Sequence, residues 1–242
     1  MTTAERRYSP VRRQVEAYEE SWQKDHATPG QCWTCEDTVA SFLQQRYGEV
    51  RYPILTNDLV ILLERRVNTL DLYADLSSEG VDVEGVTYFR RGGKPDVAIA
   101  SILAEEHWRE NRFRTTLSHE LAHVVLHGHL WGLEAESLPL FLGASAAPAL
   151  ARCFRGRILT ARQTDWMEWQ AGFGCGALLM PGRELRLVLA PHLDARTPTV
   201  GDVQAESMIA LVQRAFAVSA DAARVRLVQR GYLARQATLA TY

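Results

Sequence analysis

Near the middle of the chain, residues 115–127 read Thr115-Thr-Leu-Ser-His-Glu-Leu-Ala-His-Val-Val-Leu-His127. A helix turns by about 100° per residue, and on such a helix these residues separate into two faces. The apolar face carries Leu117, Leu121, Val124 and Val125. The other face carries His119, Glu120, His123 and His127. The pattern therefore predicts an amphipathic helix that packs on a core with one side and presents imidazole and carboxylate groups on the other.

His119 and His123 have the spacing that metal binding needs. Residues four apart are neighbours on a helix surface, so both imidazoles can reach one zinc ion at about 2.0–2.1 Å. Zinc lowers the pKa of a bound water towards about 7, and Glu120 is placed to act on that water as general base. The HExxH spacing therefore predicts a hydrolytic zinc site, with a chance occurrence of the five residues as the alternative.

A hydrolytic zinc site needs a third protein ligand beside its open position. The candidates are His129, Glu134, Glu136 and Glu168. The spacing from His119 to His129 is that of peptidases with an HExxHxxGxxH motif, but that motif needs its glycine at the position of Leu126. In this chain the glycine is Gly128, a natural end for the helix, so the turn is misplaced. The two glutamates that follow are expected in a loop.

Glu168 lies at the start of a second predicted helix, which Asp165 can cap and which ends before Pro181. The unusual residues of this helix are Gly172, Gly174 and Gly176. Each glycine costs about 1 kcal/mol relative to alanine in a helix, a cost that is sensible where another backbone approaches closely. The pattern predicts that this helix lies against the HExxH helix with Glu168 directed at the metal. The alternative is a surface acid that interacts with the helix dipole.

The two segments together resemble the ImmA/IrrE family of metallopeptidases, whose pattern is roughly RFTLAHELGHxxLH followed by ExQANxFAxxLLMP. The corresponding stretches are RTTLSHELAHVVLH at residues 114–127 and EWQAGFGCGALLMP at residues 168–181. A looser match is FAVSADAARVRL at residues 216–227, and the resemblance covers about residues 55–235. The chain departs from the pattern at Thr115, Ala122 and Gly172, none of which is a predicted ligand or base.

The interval between the two motifs, 168 − 123 = 45 residues, is longer than is usual in that family. We therefore expect an inserted excursion at about residues 138–162, which includes Cys153. Such an excursion would form a lid or a partner-specific surface.

The resemblance implies a zincin-like domain with a gluzincin-like site, in which His119, His123 and Glu168 bind zinc and Glu120 is the catalytic base. It also implies an intracellular endopeptidase that cleaves a helix-turn-helix transcriptional repressor and thereby switches on stress or mobile-element genes. A site of two imidazoles and one carboxylate also accepts manganese, iron or cobalt.

Composition and charge are those of an ordinary globular protein. The net charge is 27 − 29 = −2, which indicates neither a nucleic acid nor a membrane as partner. The N-terminus lacks the apolar core of a signal peptide, and the longest apolar run is too short to span a membrane. We therefore expect a cytoplasmic protein.

Two of the four cysteines, Cys32 and Cys35, form a CxxC pair. Such a pair is half of a structural zinc site, a redox pair or simply two thiols in a loop. Without a second CxxC to complete a zinc site, we expect no metal there. Cys175 lies in an apolar helix and is expected in the core.

Along the chain, the pattern predicts an α+β fold in three segments. Residues 1–55 are expected to be helical, at about 12–23 and 36–46. Residues 56–195 are expected to form the metallopeptidase domain, with a small antiparallel sheet packed on helices and a hairpin at residues 91–95. Residues 196–242 are expected to form a helix-turn-helix-like unit, with Ser219 as N-cap and Gly231 after the last helix.

The substrate is expected to bind as an added strand at a sheet edge, as is common in zinc peptidases. The candidate edge strand consists of Val97, Ala98, Ile99, Ala100 and Ser101, with an ordinary core strand as the alternative. His127 is a candidate either to donate to the oxyanion or to support a metal ligand, and the supporting role is preferred.

Three functions are compatible with these patterns. The first is an endopeptidase that cleaves a repressor. The second is a non-catalytic regulator that binds a repressor or, through the arginines of its basic C-terminal unit, DNA phosphates; a solvated charged face is the alternative for those arginines. The third is a general zinc peptidase that uses His129.

Overall fold

The computed structural model describes residues 30–90, 92–137, 149–154, 166–192 and 202–233. The predicted helix at residues 12–23, the cap at Asp165 and most of the excursion at residues 138–162, with the lid or partner surface expected there, lie outside these residues. The helices are α1 (Gly30–Tyr47), α2 (Thr56–Glu64), α3 (Ser101–Glu105), α4 (Glu110–Ser137), α5 (Trp166–Leu179), α6 (Gly182–Leu189), α7 (Asp202–Phe216) and α8 (Ala220–Gln229). The strands are β1 (Thr69–Ala74), β2 (Val83–Phe89), β3 (Asp96–Ala100) and β4 (Ala149–Phe154). Short 3-10 helices span His107–Arg109 and Ala190–His192.

The strands form one four-stranded sheet in the order β1-β3-β2-β4. β2 is antiparallel to β3, as the hairpin chemistry at residues 91–95 predicts, and β4 is antiparallel to β2. β1, however, pairs with β3 in parallel. The expected antiparallel sheet is therefore wrong in this respect, and the fold is a mostly helical α+β arrangement with a small mixed sheet.

The parallel pairing of β1 with β3 is accompanied by side-chain hydrogen bonds to Asp96, the first residue of β3. Its Oδ1 accepts hydrogen bonds from Asn68 Nδ2 (2.8 Å) and Thr69 Oγ1 (2.6 Å), at the start of β1. The guanidinium of Arg90 binds the other carboxylate oxygen. Burial opposes ionisation of Asp96, but these donors together hold its pKa below the ordinary value. The side chain thus ties the beginnings of the two strands together.

The predicted edge strand is not at an edge. β3, which contains Val97, Ala98, Ile99 and Ala100, lies between β1 and β2, and Ser101 is already the first residue of α3. The outer strands of the described sheet are β1 and β4. β4 comes from the excursion at residues 138–162, whose strand character was not predicted because it pairs only with a strand about 65 residues earlier in the chain.

One buried apolar cluster contains side chains from all three predicted segments. Val39, Phe42 and Leu43 of α1, within the helix expected at residues 36–46, belong to it. The same cluster contains Leu121 of α4 and Leu227 of α8, so the described helices share a core. A smaller cluster formed by Leu76, Val83 and Val86 lies beside it. Among the residues described, no helix is both long and apolar enough to cross a membrane.

The last helix, α8, begins and ends where the sequence predicts. Ser219 Oγ accepts a hydrogen bond from Ala222 N at 3.2 Å and so caps α8. Gly231 has a φ of 75°, and the Gly231 and Tyr232 amides bind the Val228 and Leu227 carbonyls at 3.1 and 2.8 Å. These bonds form a Schellman motif.

Candidate metal centre

Helix α4 carries the HExxH residues and is longer than expected. It continues without interruption to Ser137, so Gly128 does not end it. Ten residues of helix span about 15 Å, and nothing turns the chain back towards His119 within that length. His129 is accordingly exposed and is not the third ligand. Glu134 and Glu136 lie on the same helix rather than in a loop, and their side chains fall outside what the structure describes.

Helix α5 packs closely against α4, and Gly174 makes this approach possible. A Cβ atom on Gly174 would lie 2.9 Å from the Ala122 Cβ and 3.2 Å from the Leu126 Cδ1, nearer than ordinary van der Waals contact allows. The prediction that a glycine of this helix permits a close approach to the HExxH helix is therefore confirmed at Gly174. α5 ends at Leu179, two residues before Pro181, also as predicted.

This packing brings Glu168, in the first turn of α5, to the two histidines of α4. The Glu168 Oε2 lies 3.1 Å from His119 Nε2, and its Oε1 lies 3.2 Å from His123 Nε2. The two Nε2 atoms are 3.1 Å apart. Ligand atoms of a tetrahedral site with bonds of about 2.0–2.1 Å are separated by about 3.3 Å. The three side chains are therefore spaced as a metal-binding set, and they can hold a metal ion.

The electrostatics of Glu168 suit such a role. Burial by itself would raise the pKa of this carboxyl, but the adjacent His123 and His119 outweigh that effect and lower it below its ordinary value. The carboxylate is therefore ionised, as a metal ligand must be. His119 and His123 have no exposed surface, and Glu168 is 8% exposed.

Glu120, the predicted base, is held by strand β2. Thr87 Oγ1 donates a hydrogen bond of 2.6 Å to Glu120 Oε2. Two residues earlier on the strand, Gly85 leaves room for the carboxylate: a Cβ there would lie 2.5 Å from Glu120 Oε1 and 2.9 Å from Thr116 Cγ2. Glu120 is fully buried and is not one of the three converging ligands.

The contacts of β2 with α4 follow the two-residue period of a strand. Gly85, Thr87 and Phe89 point to the same side, where the first two contact Glu120 and the ring of Phe89 lies edge-on to His123 at 6.5 Å between centroids. Sequence reasoning missed all three because nothing local in the chain pairs them with α4. The predicted substrate strand β3 lies one strand farther away.

His127 does not face an open space where an oxyanion could bind. Its Nδ1 lies 3.1 Å from the Nδ1 of His123, and its Nε2 lies 2.9 Å from Gln170 Oε1. Both ring nitrogens are therefore occupied, and of the two predicted roles only the supporting one fits. Burial first, and then the neighbouring His123, lower the pKa of His127 to about 3, so the ring is neutral.

The other residues singled out in the sequence are structural or lie outside the described side chains. Cys175 is buried, its thiol donates to the Thr115 carbonyl at 3.4 Å, and burial raises its pKa to about 12. Cys35 is buried, whereas the side chains of Cys32 and Cys153 are not described. Among the residues described, only the His119, His123 and Glu168 group has the spacing of a metal site.

The C-terminal arginines are partly engaged within the protein. Arg226 has no exposed surface; its Nε donates to the Met180 carbonyl at 3.0 Å and its Nη2 to Glu36 Oε1 at 3.0 Å. Arg224 forms an exposed ion pair with Glu206. These two side chains are therefore not simply a basic surface for DNA.

Comparison of the chain with models of known protein families gives no match, and comparison with curated proteins gives none either.

Proposed function

We propose that the protein is a zinc-dependent endopeptidase with a zincin-like catalytic domain. The observation that carries the proposal is the convergence of His119, His123 and Glu168 within 3.1–3.2 Å of one another, with Glu120 next to His119 on the same helix. Two imidazoles and one carboxylate are the protein ligands of many catalytic zinc sites, which leave one position open for water or substrate. Manganese, iron or cobalt would suit the same donors.

Different residues of the site have different roles in peptide hydrolysis. When bound, zinc supplies Lewis acidity that polarises the carbonyl and makes a water molecule more acidic. Glu120 accepts the proton of the attacking water and afterwards delivers it to the leaving amine. Thr87 holds the carboxylate of Glu120 in one orientation, so the base is positioned before the substrate arrives.

The site must open for this reaction, because His119, Glu120 and His123 have no exposed surface. β4 is the element that we propose to move. It is antiparallel to β2, and its Ala151 and Cys153 are paired with Thr87 and Gly85, the two residues that contact Glu120. An extended peptide beside Glu120 would pair with β2 in the same place, since strand addition satisfies the main-chain hydrogen bonds of both partners. The substrate would thus replace β4.

The substrate class is proposed from the family resemblance rather than from the geometry. The resemblance to ImmA/IrrE peptidases points to a helix-turn-helix repressor as substrate and partner, in a cytoplasmic stress or mobile-element response. A second candidate function is a regulator that binds such a repressor without cleaving it. The complete burial of the two histidines favours this second candidate, since a metal that only stabilises the fold needs no access.

Co-expression with a repressor encoded nearby, in the presence of zinc, tests the two functions. For the endopeptidase, the wild type yields repressor fragments and Glu120→Gln yields none, although the variant still binds zinc because Glu120 is not a ligand. Cleavage that is unchanged in Glu120→Gln would show that the assigned base is wrong. Complex formation without fragments from either protein would favour the regulator.

A further inference from the structure

Gln170 and His127 form a buried polar chain that ends on a ligand of the proposed metal site. Gln170 lies on α5, two residues after Glu168, and His127 lies on α4, one turn after His123. The chain runs from Gln170 Oε1 to His127 Nε2 at 2.9 Å, and from His127 Nδ1 to His123 Nδ1 at 3.1 Å. His123 then presents its other nitrogen, Nε2, to His119 and Glu168.

The order of donors and acceptors along this chain determines where His123 carries its hydrogen. Gln170 Oε1 can only accept, so Nε2 of His127 is the donor. When His123 binds a metal through Nε2, its hydrogen is on Nδ1, and Nδ1 of His127 can accept that hydrogen because His127 carries its own hydrogen on Nε2. In this arrangement Nε2 of His123 has no hydrogen and its lone pair is available to a metal. Had the amide NH2 of Gln170 faced His127, the order would reverse and a hydrogen would occupy Nε2 of His123.

Burying the polar side chains of Gln170 and His127 costs desolvation free energy, which indicates that they do more than fill space in the core. Gln170 is 7% exposed and His127 is 1% exposed, and apolar side chains of similar size would fill the same volume without a desolvation penalty. The other histidine of the site provides a contrast. His119 Nδ1 is buried and, within the part of the chain that the structure describes, has no hydrogen-bond partner. Of the two histidines, only His123 has a ring hydrogen that side chains in the described residues can place.

We infer that Gln170 and His127 are positioning residues that hold His123 as the Nδ1–H tautomer and thereby present its Nε2 to the metal. The inference rests on the metal site of the proposed function. Neither residue is a ligand, and both act through His123. Outer hydrogen bonds of this kind are typically worth about 10–100-fold in metal affinity.

The test measures the zinc dissociation constant by competition with a chromophoric chelator. Gln170→Met removes the hydrogen-bond acceptor for His127 Nε2 at nearly constant side-chain volume. Gln170→Glu keeps an acceptor oxygen there and lacks the amide NH2 group that could donate to His127 instead. His127→Phe removes both nitrogens of the intermediate ring. Ser118→Ala is the matched control, because Ser118 is buried beside His119 and its hydroxyl has no partner in the described part of the structure.

We expect Gln170→Met and His127→Phe each to weaken zinc binding by about 10–100-fold, and the double variant to be no weaker than His127→Phe alone, because both act through one chain. The zinc dissociation constants of Gln170→Glu and Ser118→Ala should be no more than about threefold higher than that of the wild type. In the zinc-loaded protein, NMR should show the Nδ1–H proton of His123 in wild type and Gln170→Glu, and this proton should exchange faster with solvent in Gln170→Met. Unchanged affinity in Gln170→Met, or equal losses in Gln170→Met and Gln170→Glu, would overturn the inference.

The same titrations separate this inference from the proposed function. If the wild type binds zinc and the variants behave as expected, but no repressor or peptide is cleaved, the endopeptidase proposal fails and the positioning role stands. If Glu168→Ala and His119→Ala bind zinc as the wild type does, the metal site itself is misassigned. The zinc affinity of His127→Phe is interpreted only if this variant unfolds cooperatively on heating. If it does not, the comparison of Gln170→Met with Gln170→Glu decides the question.

Discussion

Thr87 donates a hydrogen bond of 2.6 Å to Glu120, from the middle of a strand to the HExxH helix 33 residues later. The bond orients the carboxylate without contacting the metal ligands. Thr87→Val, which is nearly isosteric, should therefore lower kcat by about 10–100-fold, since small displacements of a catalytic group cost up to about 100-fold. Zinc affinity should remain at the wild-type value.

Thr87→Ser is the control, because it keeps the hydroxyl and should retain most of the activity. Steady-state kinetics and chelator competition on the same preparations separate the two effects. Equal kcat values for Thr87→Val and the wild type would show that the hydrogen bond has no catalytic role.

Gly85→Ala should disrupt the position of Glu120. The added methyl group would lie 2.5 Å from the Glu120 Oε1, so either the carboxylate or the strand must shift. We expect a loss of activity of at least about 100-fold, together with a fall in thermal stability. Gly128→Ala is the matched control: nothing lies within 4 Å of its added Cβ, and it should stabilise the helix by about 1 kcal/mol. Wild-type activity in Gly85→Ala would contradict the contact.

The third ligand can be identified by loss of metal. Glu168→Ala should abolish stoichiometric zinc binding at micromolar protein, because only two histidines remain. His129→Ala should bind zinc like the wild type, since His129 lies exposed on the far part of α4. Elemental analysis after gel filtration gives the zinc content of each variant. Retention in Glu168→Ala with loss in His129→Ala would instead favour a site of the HExxHxxGxxH type.

Locking β4 onto β2 should abolish the proposed peptidase activity. Tyr88 and Leu150 are partners across the two antiparallel strands, and the Cα atoms of such partners are generally about 4.5–5.5 Å apart, within the range of a disulfide. In the double variant Tyr88→Cys, Leu150→Cys, oxidation should reduce cleavage at least about tenfold, and reduction should restore it. Each single variant should be insensitive to the reductant. Full activity in the oxidised double variant would mean that the substrate does not need the place of β4.

Two arginines on the same helix should differ greatly in their effect on stability. Arg226 is buried and donates hydrogen bonds to the Met180 carbonyl and to the partly exposed Glu36, so Arg226→Ala should destabilise the fold by about 2–5 kcal/mol, because it leaves a cavity and removes the donor of the Met180 carbonyl. Arg224→Ala breaks an exposed pair with Glu206 and should cost at most about 1 kcal/mol. Urea unfolding of both variants gives the comparison. Similar costs would show that Arg226 does not stabilise the packing of α8 on the rest of the core.

The parts of the site that were predictable from the sequence are those with a local signature. The period of α4 separates its histidines from its leucines, and the glycines of α5 suggest close helix packing, which the structure shows at Gly174. Thr87, Gly85 and the parallel pairing of β1 carry no such signature, because they depend on which distant strands become neighbours. The expectation that Gly128 ends α4 is wrong for a related reason. A glycine costs a helix only about 1 kcal/mol relative to alanine, and tertiary packing can offset that cost.

The burial of His119 and His123 also governs how a metal enters and leaves. A chelator in solution cannot touch a fully covered ion, so removal of the metal has to wait for an opening fluctuation of the protein. The rate at which excess chelator strips the site should then reach a plateau that does not depend on chelator concentration. That plateau measures how often the centre becomes accessible, and so sets an upper limit on the frequency with which any peptide can reach Glu120.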